Sequence, residues 1–363
     1  MAGNQGGVAP VTTTQANSSL NAARSAKEDE FYTQLSDIER ELRHYKEYFR
    51  GKVVYCNCDD PRVSNFFHYF SYNFEKLGLK KLIATCYKNQ EVDLFSQNNS
   101  EEAIYLEYEG DKDGNSVPTL EEIGIKRLKR DGDFRSPESI ALLKHADIVV
   151  PNPPFSLFRQ YVAQLVEYDK KFLIIGSKNA ITYTEIFRLI MENRLWLGHA
   201  FNDGNAFFGV PVSYRSKFVA GVFDEETGLV KFRNVGWFTN MDTIKRHEEL
   251  VLYKTYNPGE YPKYDNYDAI EVSKVVDIPS DYDGAMGVPI TFLDKYNPEQ
   301  FEILGITDRG NEYGLKTKEY VKGDVPNPGD LNRRAAIKLT VGSYKATYAR
   351  LLIRNRNPMR PSV

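Results

Sequence analysis

The stretch IVVPNPPF runs from Ile148 to Phe155 and places a Pro-rich turn directly after an apolar run. A β-branched run that ends at proline predicts a buried strand, and the apolar pattern of 157–168 predicts a helix after it, with Ser156 as N-cap. In open α/β sheets, ligands bind at the carboxyl ends of the strands. The turn Asn152–Phe155 is therefore predicted to lie at a ligand-binding edge.

Strand and helix patterns alternate on both sides of this turn, and Gly51 ends the first helix. The predicted elements are a helix over Leu35–Phe49, strands at Val53–Tyr55, Leu82–Ala84, Ile148–Val150, Phe172–Ile175 and Leu195–Leu197, and helices through Phe66–Phe70, Leu157–Tyr168 and Thr184–Asn193. The alternation predicts an α/β fold with a Rossmann-like, doubly wound, mostly parallel sheet.

Composition changes divide the chain into three parts. Residues 1–27 are rich in small and polar residues, so we expect a disordered tail. Residues 28–198 carry the α/β rhythm and are predicted to form the catalytic domain. Beyond about Asn202 the rhythm breaks, and residues 199–363 are predicted to form a recognition and closing region with a basic C-terminus.

The composition argues against a membrane-spanning, a disulfide-stabilised and a metal-binding protein. The 363 residues are 41% hydrophobic and 27% charged, with no apolar run of membrane-spanning length. Three cysteines without a disulfide pattern are typical of the reducing cytoplasm, where we expect the protein. Cys56 and Cys58 lack partners at ligand spacing, so no metal site is predicted.

Charge is unevenly distributed although the net charge is only −3. Residues 331–363 contain eight Arg or Lys and no acid, whereas 89–124 contain ten acids and one base. Charge alone leaves two interpretations open, a surface that follows DNA phosphates or an ordinary solvated face. The candidate phosphate-binding residues are Arg333, Arg334, Lys338, Arg350, Arg354 and Arg356.

The turn itself favours chemistry on a planar amine. An adenine N6 amine is a weak nucleophile because its lone pair is delocalised into the ring. The Asn152 side-chain oxygen and the Pro153 carbonyl can accept its two hydrogens, while Pro153 and Pro154 fix the backbone in advance. Phe155 offers a flat face for a base. The alternative is a structural turn with a capping asparagine.

Two other chemistries lack their sequence signals. Methylation of cytosine C5 needs a thiolate, usually from a Pro-Cys pair, and none of the three cysteines follows a proline. A serine hydrolase of the common type needs a Gly-x-Ser-x-Gly turn, which the chain does not contain.

The chain resembles the EcoRI-type adenine-specific modification methylase family. Its turn is similar to motif IV of the amino-methyltransferases, and further matches follow in order: DEFYTQ (29–34), KVVYCNCDDPRVSNFF (52–67), DGDFRS (131–136), NPPFSLFR (152–159), KKFLII (170–175), YPKYDNYDAI (261–270) and MGVPITFL (286–293). The resemblance implies a class I methyltransferase fold, S-adenosylmethionine as methyl donor, and a flipped adenine in double-stranded DNA, with GAATTC as the site of the family's namesake. The resemblance also implies a partner endonuclease encoded elsewhere, with which no stable contact is expected, and we expect the protein to be a monomer.

The resemblance assigns the cofactor site by position. Phe31, Tyr32 and Thr33 would border the methionine end of the cofactor, and Asn57 and Asp59 its methionine and ribose. Asp133 would accept from the adenine amine of the cofactor, and Phe134 would pack on that ring.

The chain also departs from the family pattern. CNCDD (56–60) replaces the usual glycine-rich loop, and no acid follows the second strand at Cys86-Tyr87. Base readout is expected from the segment between Asn202 and Tyr267. The alternatives left open are a methyltransferase acting on RNA or on a protein amide, and a DNA-binding module with an inactive cofactor site.

Overall fold

The computed structural model describes residues 32–58, 64–86, 103–115, 118–119, 122–201, 206–209, 223–232, 234–308, 310, 313–323, 325 and 328–359. The predicted tail, residues 1–27, lies outside these ranges.

The strands of the described residues are short. They are β1 (Tyr32–Thr33), β2 (Val53–Asn57), β3 (Lys81–Thr85), β4 (Ile104–Tyr108), β5 (Gly124–Arg127), β6 (Ile148–Val149), β7 (Lys171–Ser177), β8 (Trp196–Leu197), β9 (Ala206–Gly209), β10 (Phe223–Asp224), β11 (Leu229–Phe232), β12 (Val235–Thr239), β13 (Ile270–Glu271), β14 (Met286–Pro289), β15 (Phe301–Ile306), β16 (Ala336–Thr340), β17 (Ser343–Ala346) and β18 (Arg350–Asn355).

The α-helices lie mainly in the first half of the chain. They are α1 (Leu35–Leu42), α2 (Lys46–Phe49), α3 (Asn65–Tyr72), α4 (Phe74–Leu77), α5 (Pro137–His145), α6 (Phe158–Glu167), α7 (Thr184–Met191) and α8 (Pro328–Arg333).

An eight-stranded sheet in the order β5-β4-β3-β2-β6-β7-β12-β8 forms the centre of the molecule. Strands β3, β2, β6 and β7 are parallel to one another, which confirms the predicted α/β class. The two strands on each side are antiparallel, so the sheet is parallel only in its middle. Sequence reasoning missed both β4, whose side chains are buried or half-buried, and β5, whose four residues are exposed and include two bases.

The two faces of this sheet are covered by different layers. Helices α1 to α4 cover one face through a cluster that includes Phe49, Phe70 and Val54. Helices α6 and α7 cover the other face together with the C-terminal strands, through a cluster that extends from Tyr55 to Ile353. A sheet with helices on both faces is doubly wound, as predicted.

The predicted boundary at Gly198 does not coincide with the edge of the sheet. Strand β12, at Val235–Thr239, pairs with β7 and completes the sheet from beyond that boundary. A second sheet joins β1 to β9, β11 and β10, and a third contains β13, β14, β18 and β15. Because the third sheet contributes to the same core as α6 and α7, the two halves share their packing.

Two local predictions were wrong. The predicted helix over Leu35–Phe49 is broken into α1 and α2, because Tyr45 leaves helical geometry with φ −121°. Ser156 is not an N-cap. A 3-10 turn at Phe155–Leu157 precedes α6, and the Leu157 N–H donates to the Pro154 carbonyl at 2.9 Å.

Glu41 of α1 is a buried carboxylate that connects distant parts of the chain. It accepts the N–H groups of His199 at 2.7 Å and Ala200 at 2.6 Å, and the hydroxyl of Tyr45 at 2.8 Å. The Lys245 ammonium donates to the His199 carbonyl at 2.8 Å. Burial raises the pKa of the Glu41 carboxyl above its ordinary value, and the hydrogen bonds from the three donors offset part of this increase.

We expect Glu41→Ala to lower the free energy of unfolding by about 2–4 kcal/mol, because three donors would lose their acceptor inside the core. Urea unfolding followed by circular dichroism measures the change. Glu39→Ala, at an exposed position of the same helix, is the matched control and should stay within about 0.5 kcal/mol of the wild type. Equal stability of both variants would show that the 199–200 backbone does not depend on this carboxylate.

Candidate active site

The carboxyl edge of the parallel strands brings the predicted turn next to the end of β2. Strand β6 lies between β2 and β7, and the Val150 N–H donates to the Tyr55 carbonyl at 2.9 Å. Asn152 follows at this edge and is only 9% exposed. The Pro154 carbonyl closes the turn through the Leu157 N–H. Phe155 packs, half-buried, on the core cluster of the α1–α4 face.

Helix α6 begins immediately after the turn and packs tightly on the sheet. The ring of Phe158 lies so close to Gly176 of β7 that a Cβ at that glycine would be 2.3 Å from it. Any larger residue at position 176 would push the start of α6 off the sheet, and the turn would move with it.

Tyr161 of α6 connects two predicted cofactor residues. Its hydroxyl donates to the Asn57 side-chain oxygen at the end of β2, and its ring lies 4.8 Å from that of Phe134. The Gln164 side chain donates to the Phe134 carbonyl at 3.1 Å. Burial raises the pKa of Tyr161 well above its ordinary value, so this phenol stays a neutral donor.

The antiparallel pair β4 and β5 returns the chain to the same edge. The loop after β5 meets the end of β3 at Gly132, where φ is +77° and a Cβ would lie 2.2 Å from the Cys86 carbonyl oxygen. Only glycine permits both this conformation and this approach. Asp133 follows directly and lines a cleft of about 430 Å³ together with Asp131 and Arg135, and Phe134 comes next in the chain.

The carboxylate of Asp133 is held by Arg135. The Arg135 backbone N–H and Nε donate to Oδ1 at 2.8 and 2.9 Å, and an Nη donates to Oδ2 at 2.6 Å. Partial burial raises the pKa of Asp133, but the hydrogen bonds and charge of Arg135 outweigh it and leave that pKa below its ordinary value. The group is therefore an ionised acceptor at neutral pH.

Thr33 reaches the site from the N-terminal segment. Strand β1 pairs with β9, and the Asn65 side chain, at the start of α3, donates to the Thr33 carbonyl at 2.8 Å. The Thr33 hydroxyl is buried without a hydrogen-bond partner among the described residues. A buried hydroxyl with no partner is costly, so this atom fits a place beside a polar ligand. Phe31 and Asp59 lie outside the described residues, and Tyr32 is described only through its backbone pairing with Gly209.

The structure thus brings Asn57, Phe134 and the 152–155 turn together through α6, and places Thr33 and Asp133 at the same edge. Sequence reasoning missed Tyr161 and Gly132. The apolar spacing of α6 predicts that position 161 is buried, but nothing in the spacing shows that its hydroxyl reaches Asn57.

The predicted phosphate-binding residues divide into two groups. Arg350 makes a bidentate ion pair with Glu271, with side-chain exposures of 14% and 5%, and Arg334 pairs with Asp308 at 2.6 Å. The Arg350 pair links β18 to β13 within the third sheet, and the Arg334 pair links the segment before β16 to the end of β15. Two of the others also make contacts, Arg354 with Glu302 at 3.8 Å and Arg356 with the Pro298 and Phe301 carbonyls. Arg333 and Lys338 are exposed and, among the described residues, make no ion pair.

One acidic cluster lies away from the site. Carboxylate oxygens of Asp111, Asp113 and Glu122 lie within 4.8 Å of one another. Asp111 accepts the N–H of Gly114 at 2.7 Å, and Glu122 that of Thr119 at 3.0 Å. These carboxylates order the loop between β4 and β5, at the opposite edge of the sheet. The absence of a metal site stays a prediction.

The residues present fit S-adenosylmethionine. An unpartnered buried hydroxyl, an ionised carboxylate beside a cleft and a buried aromatic ring match the polar and aromatic parts of that molecule. Within the described residues, no helix is both long and apolar enough to span a bilayer.

Comparison with known proteins finds a matching family model and several related methyltransferases. A family model described as adenine-specific methyltransferase EcoRI matches residues 19–356. The chain is 52% identical over 291 residues to the Type II methyltransferase M.EcoRI of Escherichia coli, covering 79% of this chain and 89% of that protein. It is 40% identical over 323 residues to the Type II methyltransferase M.MpnI of Mycoplasma pneumoniae, covering 85% of this chain and 93% of that protein. It is 39% identical over 323 residues to the Type II methyltransferase M.MgeORF184P of Mycoplasma genitalium, covering 85% of this chain and 94% of that protein.

No solved structure matches the chain. The family match spans nearly all of the described residues, including both the turn at Asn152 and the third sheet. The chain therefore belongs to the EcoRI family of adenine-specific DNA methyltransferases.

Proposed function

We propose that the protein transfers a methyl group from S-adenosylmethionine to the N6 amine of an adenine flipped out of duplex DNA, at the site GAATTC. The observation that carries the proposal is the position of the Asn152–Phe155 turn. It lies at the carboxyl edge of β6 and is joined through α6 to Asn57 and Phe134. The identity to M.EcoRI supports the GAATTC site. The relatives are all Type II methyltransferases, which favours DNA over RNA or a protein amide as substrate.

In this proposal, the turn activates the adenine amine. The Asn152 oxygen and the Pro153 carbonyl accept the two amine hydrogens and draw the nitrogen lone pair out of the ring. The Pro154 carbonyl is already used within the turn, which leaves that of Pro153 to face the base. Because Asn152 is buried, its dipole acts in a medium of low dielectric constant, where it is stronger than in water. Phe155 stacks on the flipped ring.

A second set of residues holds the methyl donor. S-adenosylmethionine, when bound, supplies an electrophilic methyl group. Thr33 and Asn57 bind its methionine end, Asp133 accepts from its adenine amine, and Phe134 packs on the adenine. Phe31, Tyr32 and Asp59 complete the site in this proposal. The protein acts as a monomer in the cytoplasm and needs no stable contact with a cognate endonuclease.

Removing the acceptor at the turn should stop the chemistry. We expect Asn152→Ala to reduce the rate of transfer by about 10²–10³, the loss seen when one preorganised hydrogen-bonding group is removed from an active site. The affinity for S-adenosylmethionine should change little. Single-turnover assays measure the rate, and titration calorimetry measures the affinity.

Asn152→Asp is the matched variant, because it keeps an acceptor oxygen at the same position, and it should retain more activity than Asn152→Ala. Parallel losses of cofactor binding and turnover in Asn152→Ala would contradict this role and assign the residue to the fold or to the donor site.

Asp133 should contribute to cofactor affinity. We expect Asp133→Ala to weaken binding of S-adenosylmethionine by about 1–3 kcal/mol, because the adenine amine would lose its acceptor. Titration calorimetry measures the dissociation constant. Glu226→Ala, an exposed acid on the turn between β10 and β11, is the control for a change in net charge. A dissociation constant shared by wild type, Asp133→Ala and Glu226→Ala would rule out the assignment.

Modified-base sequencing of DNA from cells that express the protein tests the site. We expect N6-methyladenine confined to GAATTC. Modification at another single motif would replace the proposed site and keep the mechanism. Modification scattered over adenines without a motif would overturn the claim of sequence specificity.

A further inference from the structure

Strands β16 and β17 form a two-stranded hairpin that is anchored at its base and, on one face, through Tyr344. The Ala336 N–H donates to the Asn266 side chain, and the Ala336 carbonyl accepts from the Asp265 N–H, both at 2.8 Å. The ring of Tyr344 packs on that of Tyr320 at 5.1 Å. Ala336 is fully buried and β16 becomes exposed toward the turn, whereas β17 is exposed along its length except at the half-buried Tyr344. The hairpin therefore projects from the body of the molecule.

The turn of this hairpin is apolar and exposed. Val341 is 95% exposed and Leu339 is 60% exposed. Gly342, with φ +75°, completes the tight turn between the strands. Two aliphatic side chains at the end of a projecting ribbon add nothing to the core of this chain, and they form an apolar tip that a partner can cover.

The sides of the hairpin are basic. Residues directly opposite each other in the ladder share a face, and Lys338 lies opposite Tyr344 while Lys345 lies opposite Ile337. The two lysines therefore project from opposite faces of the ribbon. Both are exposed and neither is within ion-pair distance of a described acid, although Lys338 interacts electrostatically with Asp265. A ribbon with one lysine on each face matches a groove that has a phosphate backbone along each wall.

The base of the hairpin is connected to the catalytic edge of the central sheet. Arg334, at the start of the hairpin, pairs with Asp308 at 2.6 Å. The segment after Asp308 reaches α7, where the ring of Tyr313 lies 6.2 Å from that of Phe187. A Cβ at Gly310 would lie 3.8 Å from the hydroxyl oxygen of Thr184, the first residue of α7.

Helix α7 starts just beyond the carboxyl end of β7, beside the turn that carries Asn152. Arg159, in the first turn of α6, lies over the ring of Tyr183 at 5.2 Å. The hairpin base and the 152–155 turn are thus connected through residues 183–184 at one edge of the sheet. Under the proposed function, DNA that presents an adenine to the turn would pass along this edge.

We propose that the β16–β17 hairpin enters a groove of the DNA, with Lys338 and Lys345 on the two phosphate backbones and the apolar tip of Leu339 and Val341 against the bases. The major groove of B-DNA admits a two-stranded β-ribbon, and apolar side chains there contact thymine methyl groups. The inference rests on the proposed function. It adds contacts from the hairpin to the base readout expected between Asn202 and Tyr267, a segment that lies partly outside the described residues. The two lysines position the protein through phosphate contacts, and the apolar tip specifies the sequence through base contacts.

Two double variants separate these tasks. The flank variant carries Lys338→Gln and Lys345→Gln, and the tip variant carries Leu339→Ser and Val341→Ser. Lys274→Gln with Val276→Ser, at exposed positions elsewhere on the surface, is the matched control. Each protein is titrated with a duplex that contains one GAATTC site and with a scrambled duplex of the same composition, over a range of salt concentrations.

The flank variant should bind both duplexes more weakly and lower the slope of log affinity against log salt by about 2, one unit for each lost phosphate contact. The tip variant should lose about tenfold in affinity for the GAATTC duplex alone, with its salt slope unchanged. We expect both variants to unfold at the same temperature as the wild type, because the substituted residues are exposed. A thermal unfolding measurement then shows that the fold is intact.

Wild-type affinity and salt slope in both hairpin variants would overturn the role of the hairpin. A tip variant that loses both duplexes equally would overturn base contact by the tip. If the wild-type protein does not distinguish the two duplexes, the proposed GAATTC specificity fails, and the base-contact part of this inference fails with it. In that case, a comparison of the salt slopes of the wild-type protein and the flank variant still shows whether Lys338 and Lys345 contact phosphates.

Discussion

The parallel pairing of β2 with β6 is the constraint on which the candidate site depends. Parallel strands end at the same edge of a sheet, so the strand pairing alone brings the residues that follow them together. Val54 lies opposite Ile148 in this ladder, and that register sets Asn57 and the 152–155 turn side by side. A slip of one residue would send every buried side chain of β6 to the other face, so the two core clusters hold the register.

Helix α6 converts this backbone register into a rigid arrangement of side chains. It starts at the turn, where Phe158 packs on Gly176, and one turn later Tyr161 contacts both Asn57 and Phe134. One helix therefore fixes the distance between the groups proposed to hold the methyl donor and those proposed to hold the adenine. Methyl transfer needs reacting atoms in line and about 3–3.5 Å apart, so a rigid connection between the two halves serves the chemistry.

The sequence predicts those parts of the fold that have local signals. Strands β2, β3, β6 and β7 are apolar runs, and each lies close to its predicted position. Strand β12 was missed because it lies beyond a stretch without clear rhythm, although its side chains are fully buried. Of the site, the 152–155 turn is marked by its own residues. The contact of Tyr161 with Asn57 joins positions that are 104 residues apart, and no spacing rule encodes it.

The role of each charged residue is also not visible in the sequence, because a count of basic residues does not show which of them face solvent. Glu271 is buried and Arg350 is largely buried against it, and a guanidinium in such a place is stable only with a partner that satisfies its donors. Only the three-dimensional structure therefore separates the basic residues that hold the third sheet from those, such as Lys338, that remain exposed. Because the internal pairs neutralise part of the basic C-terminal segment, the charge available to attract a polyanion is concentrated on the few exposed residues. A concentrated charge at one edge orients an approaching duplex, whereas the same charge spread over the surface would attract it in many orientations.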